Sequence, residues 1–318
     1  MTSAPDPHPT TGTTHPPATL IVGPTAGGKS SLAMSLARRA RDRGIDTEIV
    51  SADSMQIYRG MDIGTAKPTE AERAEIPHHL IDIREPTESF SVHEWLALTE
   101  ATLDELRAAG KAAIVVGGTH LYAKALLEGL FVGPEPDPGL RAELEAIPPH
   151  ERRAELERVD PSAGARIHPN DDRRTIRALE VYRQTGIPIS THQHQWDAGR
   201  TRRDLRLVGL DWAPELVNRR INARVRAMID AGLVDEVRAL WHTDRLGPQA
   251  REALGYKHLI DHLAGRATLD DAIERIKIDT RRLAKNQRTW LRRLRTTPGS
   301  VWINAADTPP EHWPDHIF

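Results

Sequence analysis

No cysteine occurs in the 318 residues, which excludes disulfides, thiolate zinc sites and a cysteine nucleophile. No apolar run approaches the ~20 residues needed to span a bilayer, so no membrane partner is expected. The first eighteen residues have neither the apolar core nor the basic start of a secretory signal. Rich in Pro, Thr and His, they read as a disordered tail over 1–18, and the expected compartment is the cytoplasm. A net charge of −2, from 43 cations and 45 acids, by itself predicts no polyanionic partner. One stretch differs. Between Arg281 and Arg295 there are seven cations and no acid, which leaves 36 cations against 45 acids elsewhere. Hydrophobic content of 39% is enough for a core, and the length suits one large domain or a core with a smaller one.

What is present starts with Gly23-Pro24-Thr25-Ala26-Gly27-Gly28-Lys29-Ser30, which fits the phosphate-cradling pattern G-x-x-x-x-G-K-[ST]. The β-prone run Thr19-Leu20-Ile21-Val22 precedes it, and a helix-like run with Leu32 and Leu36 one turn apart follows. Strand, Gly-rich turn and helix N-terminus aim backbone N–H groups at one place, which suits a diphosphate or triphosphate. Lys29 would neutralise the phosphates and the Ser30 hydroxyl would reach Mg2+. A second strand, Thr47 to Val50, runs into Ser51-Ala52-Asp53. In a parallel sheet ligands sit beyond the carboxyl ends of strands, so Asp53 would face the same rim, as a base, a helix cap or a metal ligand. His78 to Ile83 reads as a short strand, and Phe90 to Ala109 as a helix packed through Trp95 and Leu106. The buried strand Ala112–Val116 ends in Gly117-Gly118-Thr119 and opens another helix, a βαβ pattern.

Composition then changes. Pro134, Pro136 and Pro138 break the rhythm, and from Leu140 to about Gly199 only helical patterns occur. Within them Asn170-Asp171 caps a helix whose Arg173, Arg174 and Arg177 lie near one face, either solvated or gripping a ligand. His192 and His194 could suggest a metal, but two His without further ligands are a weak signal. Leu205 to Leu210 returns to the β pattern, and one long helix is expected from Pro214 to Trp241, with Arg220 and Arg224 spaced i, i+4. Ala253 to Lys257 opens a further helical stretch. The last helix carries Arg281, Lys285, Arg288, Arg292 and Arg295 as one cationic stripe, beside a packing stripe of Leu283, Gln287, Trp290 and Leu294. A cationic face with no acids to pair points to a polyanion. Val301 to Ile303 reads as the last strand, with a loose Pro-rich tail beyond.

The expected class is α/β: a P-loop NTPase-like parallel sheet flanked by helices, with an all-helical insertion domain. The segments are a tail (1–18), the first part of the core (19–136), the insertion (137–203), the second part with the basic helix (204–304) and a tail (305–318). Residues alone leave three functions open. One is a kinase or NTPase breaking a P–O bond, another a transferase with diphosphate as leaving group, and the third an RNA-binding protein without catalysis. The loop stabilises growing phosphate charge equally in the first two.

Several blocks go further. Gly23 to Ser30, Asp53-Ser54-Met55-Gln56 through Pro68, Pro77-His78-His79-Leu80, Val116-Gly117-Gly118-Thr119, His168-Pro169-Asn170-Asp171 through Glu180, Leu254-Gly255-Tyr256-Lys257 and Thr280 to Trp290 run in one order from about 19 to 295. The chain resembles the tRNA dimethylallyltransferase (tRNA isopentenyltransferase) family. Asn286, where the family commonly has a basic residue, and His120, after Gly-Gly-Thr, depart from its pattern.

The resemblance implies transfer of a dimethylallyl group from dimethylallyl diphosphate to N6 of adenine 37 in tRNA, with Mg2+, by a monomer. It implies catalytic roles for Asp53, Thr25, Lys29 and Arg224. Gly23, Pro24, Thr25, Ala26, Gly27, Gly28, Lys29 and Ser30 would bind diphosphate, and Ser30 the metal. It implies tRNA contacts at Asp53, Ser54, Met55, Gln56, His78, Thr119, Arg173, Arg174, Arg177, Tyr256, Lys257, Lys285, Gln287, Arg288 and Arg292, with the insertion clasping the anticodon stem. The alternatives are a nucleotide kinase, whose lid the insertion would be, and an adenylate isopentenyltransferase acting on free nucleotide.

Overall fold

A computed structural model of the chain describes residues 18–130, 133–192, 202 and 204–317. These form two compact units, one from residues up to 124 and from 204 onward, the other within 125–202. The tail expected over 1–18 lies outside the described residues except for Ala18, which already belongs to the first strand.

The larger unit begins with β1 (Ala18–Val22), α1 (Lys29–Arg41), β2 (Thr47–Ser51), α2 (Glu70–Glu75), β3 (His78–His79), α3 (Val92–Ala108), β4 (Ala112–Val116) and the start of α4 (His120–Glu128). The smaller unit takes the end of α4 and then α5 (Pro138–Ala146), α6 (Pro149–Val159), α7 (Pro161–Arg166), α8 (Asp172–Thr185) and α9 (Ile189–His192). The chain returns through β5 (Leu205–Asp211), α10 (Pro214–Asp230), α11 (Leu233–His242), α12 (Pro248–Arg251), α13 (Tyr256–Leu263), α14 (Leu269–Leu294), β6 (Val301–Asn304) and a 3-10 segment, Pro310–His316.

The six strands form one parallel sheet in the order β3-β2-β4-β1-β5-β6. The two central strands β4 (AAIVV) and β1 (ATLIV) are nearly continuous apolar runs because helices cover both faces of a parallel sheet; Leu20, Ile21, Val50 and Val115 are all fully buried. Their parallel direction brings the carboxyl ends of β2, β4, β1 and β5 to one rim. The core beneath that rim joins Ile21, Ile49, Ile114 and Val208 of the sheet to Leu32 and Leu36 of α1.

Three expectations are corrected here. The strand expected over His78 to Ile83 is only two residues long, because Leu80 and Asp82 take positive φ (59° and 56°) and turn the chain away. The single helix expected from Pro214 to Trp241 is two: Gly232, at φ 97°, stops α10 and starts α11. The segment after β6 is not a loose tail. Trp313 and Ile317 are buried in the same core as Leu32 and Ile303, Trp313 meets Trp212 edge-on with centroids 6.3 Å apart, and Asp315 pairs with Arg39 at 2.5 Å. The prolines that suggested looseness instead shape a short 3-10 turn, and the indole supplies the burial that docks it.

The smaller unit has its own core around Leu144, Leu156, Leu179 and Val181. It begins inside α4, ahead of the proline run at which the composition changes. Its buried carboxylate, Glu180, accepts from Arg141 (3.0 Å), Arg177 (2.6 Å) and the Asp137 amide (2.8 Å), so the charge is fully paired.

Candidate active site

The rim gathers its chemistry from successive strand ends. After β1 comes the loop 23–30, with Gly28 in a left-handed conformation (φ 89°) as the N-cap of α1. Side chains hold the loop by its carbonyls. Trp212, just past β5, donates its indole N–H to Gly27 O at 2.9 Å, and Arg220 of α10 donates to Ala26 O at 2.7 Å while lying over the Trp212 ring. Lys29 Nζ donates to Pro24 O at 2.9 Å. With the loop's carbonyls engaged, the first turn of α1 offers N–H groups and a helix dipole to an anion.

Charge converges on the same place. Burial, then the neighbouring Arg224 guanidinium, hold the Lys29 ammonium down to about pKa 8, with Asp53 opposing the shift. Burial also lowers Arg224, again opposed by Asp53. Two cations pressed together and desolvated in this way are preorganised for a polyvalent anion. Asp53 follows β2, which is separated from β1 by β4 alone, so it approaches the loop from two strand spacings away.

Asp53 combines two of the roles open from sequence. Its Oδ1 accepts from the amides of Met55 (2.9 Å) and Gln56 (3.4 Å) and caps the turn that follows. Its Oδ2 has no hydrogen-bond partner among the described residues. Thr119, past β4, accepts from the Ser54 amide at 3.2 Å and ties the two loops together. Tyr122 is buried and stacked on Trp95 at 4.3 Å, and Trp95 donates to Ser51 O, which braces the end of β2.

Four residues expected to touch tRNA are engaged elsewhere. Tyr256 is fully buried and donates to Glu236, whose carboxylate also accepts from the amides of Asp62, Ile63 and Gly64. Gln287 is buried, accepting from Thr25 N and donating to Gly118 O, both at 2.8 Å. Arg177 is held by Glu180 and by Pro134 O within the smaller unit. Gln56 likewise spends its side chain on Ser51, Thr65 and Ala66, and His78, on β3, sits in register with Ile49, short of the rim. Arg173 and Arg174 are exposed on α8, the latter beside Asp171 at 3.5 Å. Lys257 lies 3.8 Å from Asp279 and is partly exposed.

The cationic stripe of α14 is shorter than its spacing suggests. Arg281 donates to Asn222 and Arg295 pairs with Asp211 at 3.0 Å. Lys285, Arg288 and Arg292 make no ion pair among the described residues. Sequence reasoning missed Trp212, Glu236 and Trp313. Trp212 had a usable signal, because it follows a strand end just as Asp53 and Thr119 do.

No group of three His, Cys, Asp or Glu able to hold a metal occurs among the described residues, and His194 lies outside them. No helix among them is long and apolar enough to cross a membrane.

The IPP transferase family model matches residues 56–294, beginning just after Asp53. A curated tRNA dimethylallyltransferase of Geobacillus kaustophilus is 47% identical over 282 residues, covering 86% of each chain. The solved full-length tRNA isopentenylpyrophosphate transferase of Bacillus halodurans is 38% identical, with a TM-score of 0.65 over 91% of this chain and 90% of that one. A eukaryotic dimethylallyltransferase, solved acting on tRNA, is 28% identical with a TM-score of 0.78 over 91% of this chain and 74% of that one. Matched through most of its length by the family model and by such relatives, the chain belongs to the IPP transferase family, the tRNA dimethylallyltransferases.

Proposed function

We propose that the chain transfers the dimethylallyl group of dimethylallyl diphosphate to N6 of adenine 37 in tRNA. The observation that carries this is the convergence of the phosphate loop, Lys29 and Arg224 with the free oxygen of Asp53 on one rim. The C1–O bond of the allyl diphosphate breaks and its electrons leave with the diphosphate. C1 bonds to N6, and one N6 proton passes to Asp53 Oδ2. A carboxylate is far too weak a base to deprotonate a neutral exocyclic amine. The proton therefore leaves late, once nitrogen has begun to capture an allyl centre already becoming cationic. Before that, Oδ2 orients the amine. Lys29, Arg224, the Thr25 hydroxyl and the amides of the first turn of α1 take up the charge growing on the leaving group.

The residues present fit Mg2+ in one way. Without a carboxylate cage, the Ser30 hydroxyl would be its main protein ligand, with diphosphate oxygens and water completing the shell. When bound, Mg2+ would add charge stabilisation to the departing diphosphate. The adenine must leave the anticodon stack to reach the rim, at a cost of about a few kcal/mol. Lys285, Arg288 and Arg292, with exposed Arg173 and Arg174, are the cations that offset it on a polyanionic partner. We take the enzyme to act as a monomer on tRNA of the cytoplasm.

The test is incubation with Mg2+, labelled dimethylallyl diphosphate and either an anticodon stem-loop bearing adenine 37 or free AMP. Label is expected on the stem-loop alone, and is lost when that adenine is changed. Label on AMP alone would make the chain an adenylate isopentenyltransferase, and phosphate transfer from ATP a kinase. The interface has its own test. Arg288→Ala with Arg292→Ala should weaken stem-loop binding and reduce the slope of log K against log salt by about 1–2, since each lost phosphate contact removes about 0.7–0.9. An unchanged slope would place the RNA on another surface.

A further inference from the structure

Gln287 occupies a position that the RNA-facing role of α14 does not explain. Its side chain is buried, and both ends of the amide are used. Oε1 accepts from Thr25 N at 2.8 Å, inside the phosphate loop, and Nε2 donates to Gly118 O at 2.8 Å, in the turn after β4. A side chain at Gly118 would displace the Gln287 amide. A Cβ on Gly118 would stand 2.8 Å from Gln287 Nε2 and 3.5 Å from Lys29 Nζ. One amide therefore fixes two strand-end loops beside the ammonium that meets the diphosphate. It takes the Thr25 amide, leaving the Thr25 hydroxyl and the first-turn amides for the ligand.

The turns of α14 on either side of Gln287 carry the cations that make no ion pair among the described residues. At about 100° per residue, Lys285, Arg288 and Arg292 lie roughly 100–160° around the helix from Gln287. One stiff rod thus presents its charge on one side and grips the phosphate loop on the other.

We propose that Gln287 is a positioning residue that registers α14 against the phosphate loop, so that polyanion docking on Lys285, Arg288 and Arg292 and diphosphate binding at Lys29 are coupled through this side chain. The RNA identity of the polyanion rests on the function proposed above. The coupling must be reciprocal: stem-loop tightens diphosphate by the factor by which diphosphate tightens stem-loop.

Calorimetry with inorganic diphosphate and an anticodon stem-loop, each titrated alone and with the other saturating, tests this. In the wild type, diphosphate affinity is expected to rise about fivefold or more with stem-loop bound, the lower end of measured couplings. Gln287→Leu keeps the bulk but neither hydrogen bond. It should bring that ratio to one and weaken diphosphate alone about tenfold, while stem-loop alone binds as in the wild type. Gln287→Asn, too short to span both partners, should do the same and serves if the leucine variant does not fold. Asn286→Ala, exposed and one residue away, should leave all values at wild type. A merely structural residue would lower the melting temperature without changing the ratio. A wild-type ratio of one, or a ratio that survives both substitutions, overturns the coupling. A wild type that binds diphosphate but no stem-loop overturns the RNA reading, and the coupling with it.

Discussion

Asp53→Asn and Asp53→Ala are both expected to lower kcat by about two to four orders of magnitude, the usual worth of general-base catalysis, with near-normal affinity for dimethylallyl diphosphate. The pair of variants separates the roles that one carboxylate combines. Oδ1 caps the turn through Met55 and Gln56, and Oδ2 is free to meet the amine. Asparagine retains an oxygen where Oδ1 stands, so the turn survives, but it cannot accept the proton. If the cap were the whole role, asparagine would restore near wild-type turnover and alanine alone would fail. Single-turnover measurement keeps product release out of the comparison. It belongs near pH 7, because Asp53 is one of the groups that raise Lys29, and its loss moves the ammonium still lower. Wild-type turnover in both variants would remove Asp53 from the chemistry altogether.

The parts of this site that were legible in the sequence are those set by short contiguous patterns. β4 coincides with the expected Ala112–Val116 run, and β1 and α1 bracket the Gly-rich loop as expected, because strand, turn and helix N-terminus each leave a local signature. Periodicity was informative even where the resemblance pointed elsewhere. The spacing Leu283, Gln287, Trp290, Leu294 places Gln287 on the packing side of α14, and the structure buries it there. Arg177 carried a similar signal, since Glu180 lies one helical turn on and takes its charge.

What stayed hidden depends on partners far along the chain. Thr25 and Gln287 are 262 residues apart, and nothing at either position reveals the other. The two ends of the cationic stripe are consumed by Asn222 and Asp211, on α10 and β5, which only the packing of α14 brings close. Trp313 was hidden by its prolines: a segment read as loose closes the core under α1.

Lys29→Ala is the second large effect. Transfer should fall by about two to three orders of magnitude or more, as when a preorganised donor to a developing anion is removed, while the stem-loop Kd stays at wild type. Loss of RNA binding alone would contradict a phosphate site separate from the RNA surface. The pH dependence identifies the group. In the free enzyme burial and Arg224 hold Lys29 near pKa 8, and a bound diphosphate, as an opposite charge, would raise it. The diphosphate affinity that Lys29 supplies is therefore complete below about pH 8 and lost as pH rises through that value. For the wild type, kcat/KM for dimethylallyl diphosphate should be level up to about pH 8 and then fall tenfold per pH unit, one proton being taken up on binding. Lys29→Arg, charged throughout, should remove the fall even where its different geometry lowers the plateau. A wild-type profile level to pH 9.5 would sink the assignment. Stability carries the opposite sign. The folded state releases this proton before the unfolded chain does, at its ordinary value of 10.5, so wild-type stability should gain a contribution between about pH 8 and 10.5 that Lys29→Ala lacks. A group that weakens the free fold at neutral pH and is needed only when a polyvalent anion arrives is placed for the ligand, not for the fold.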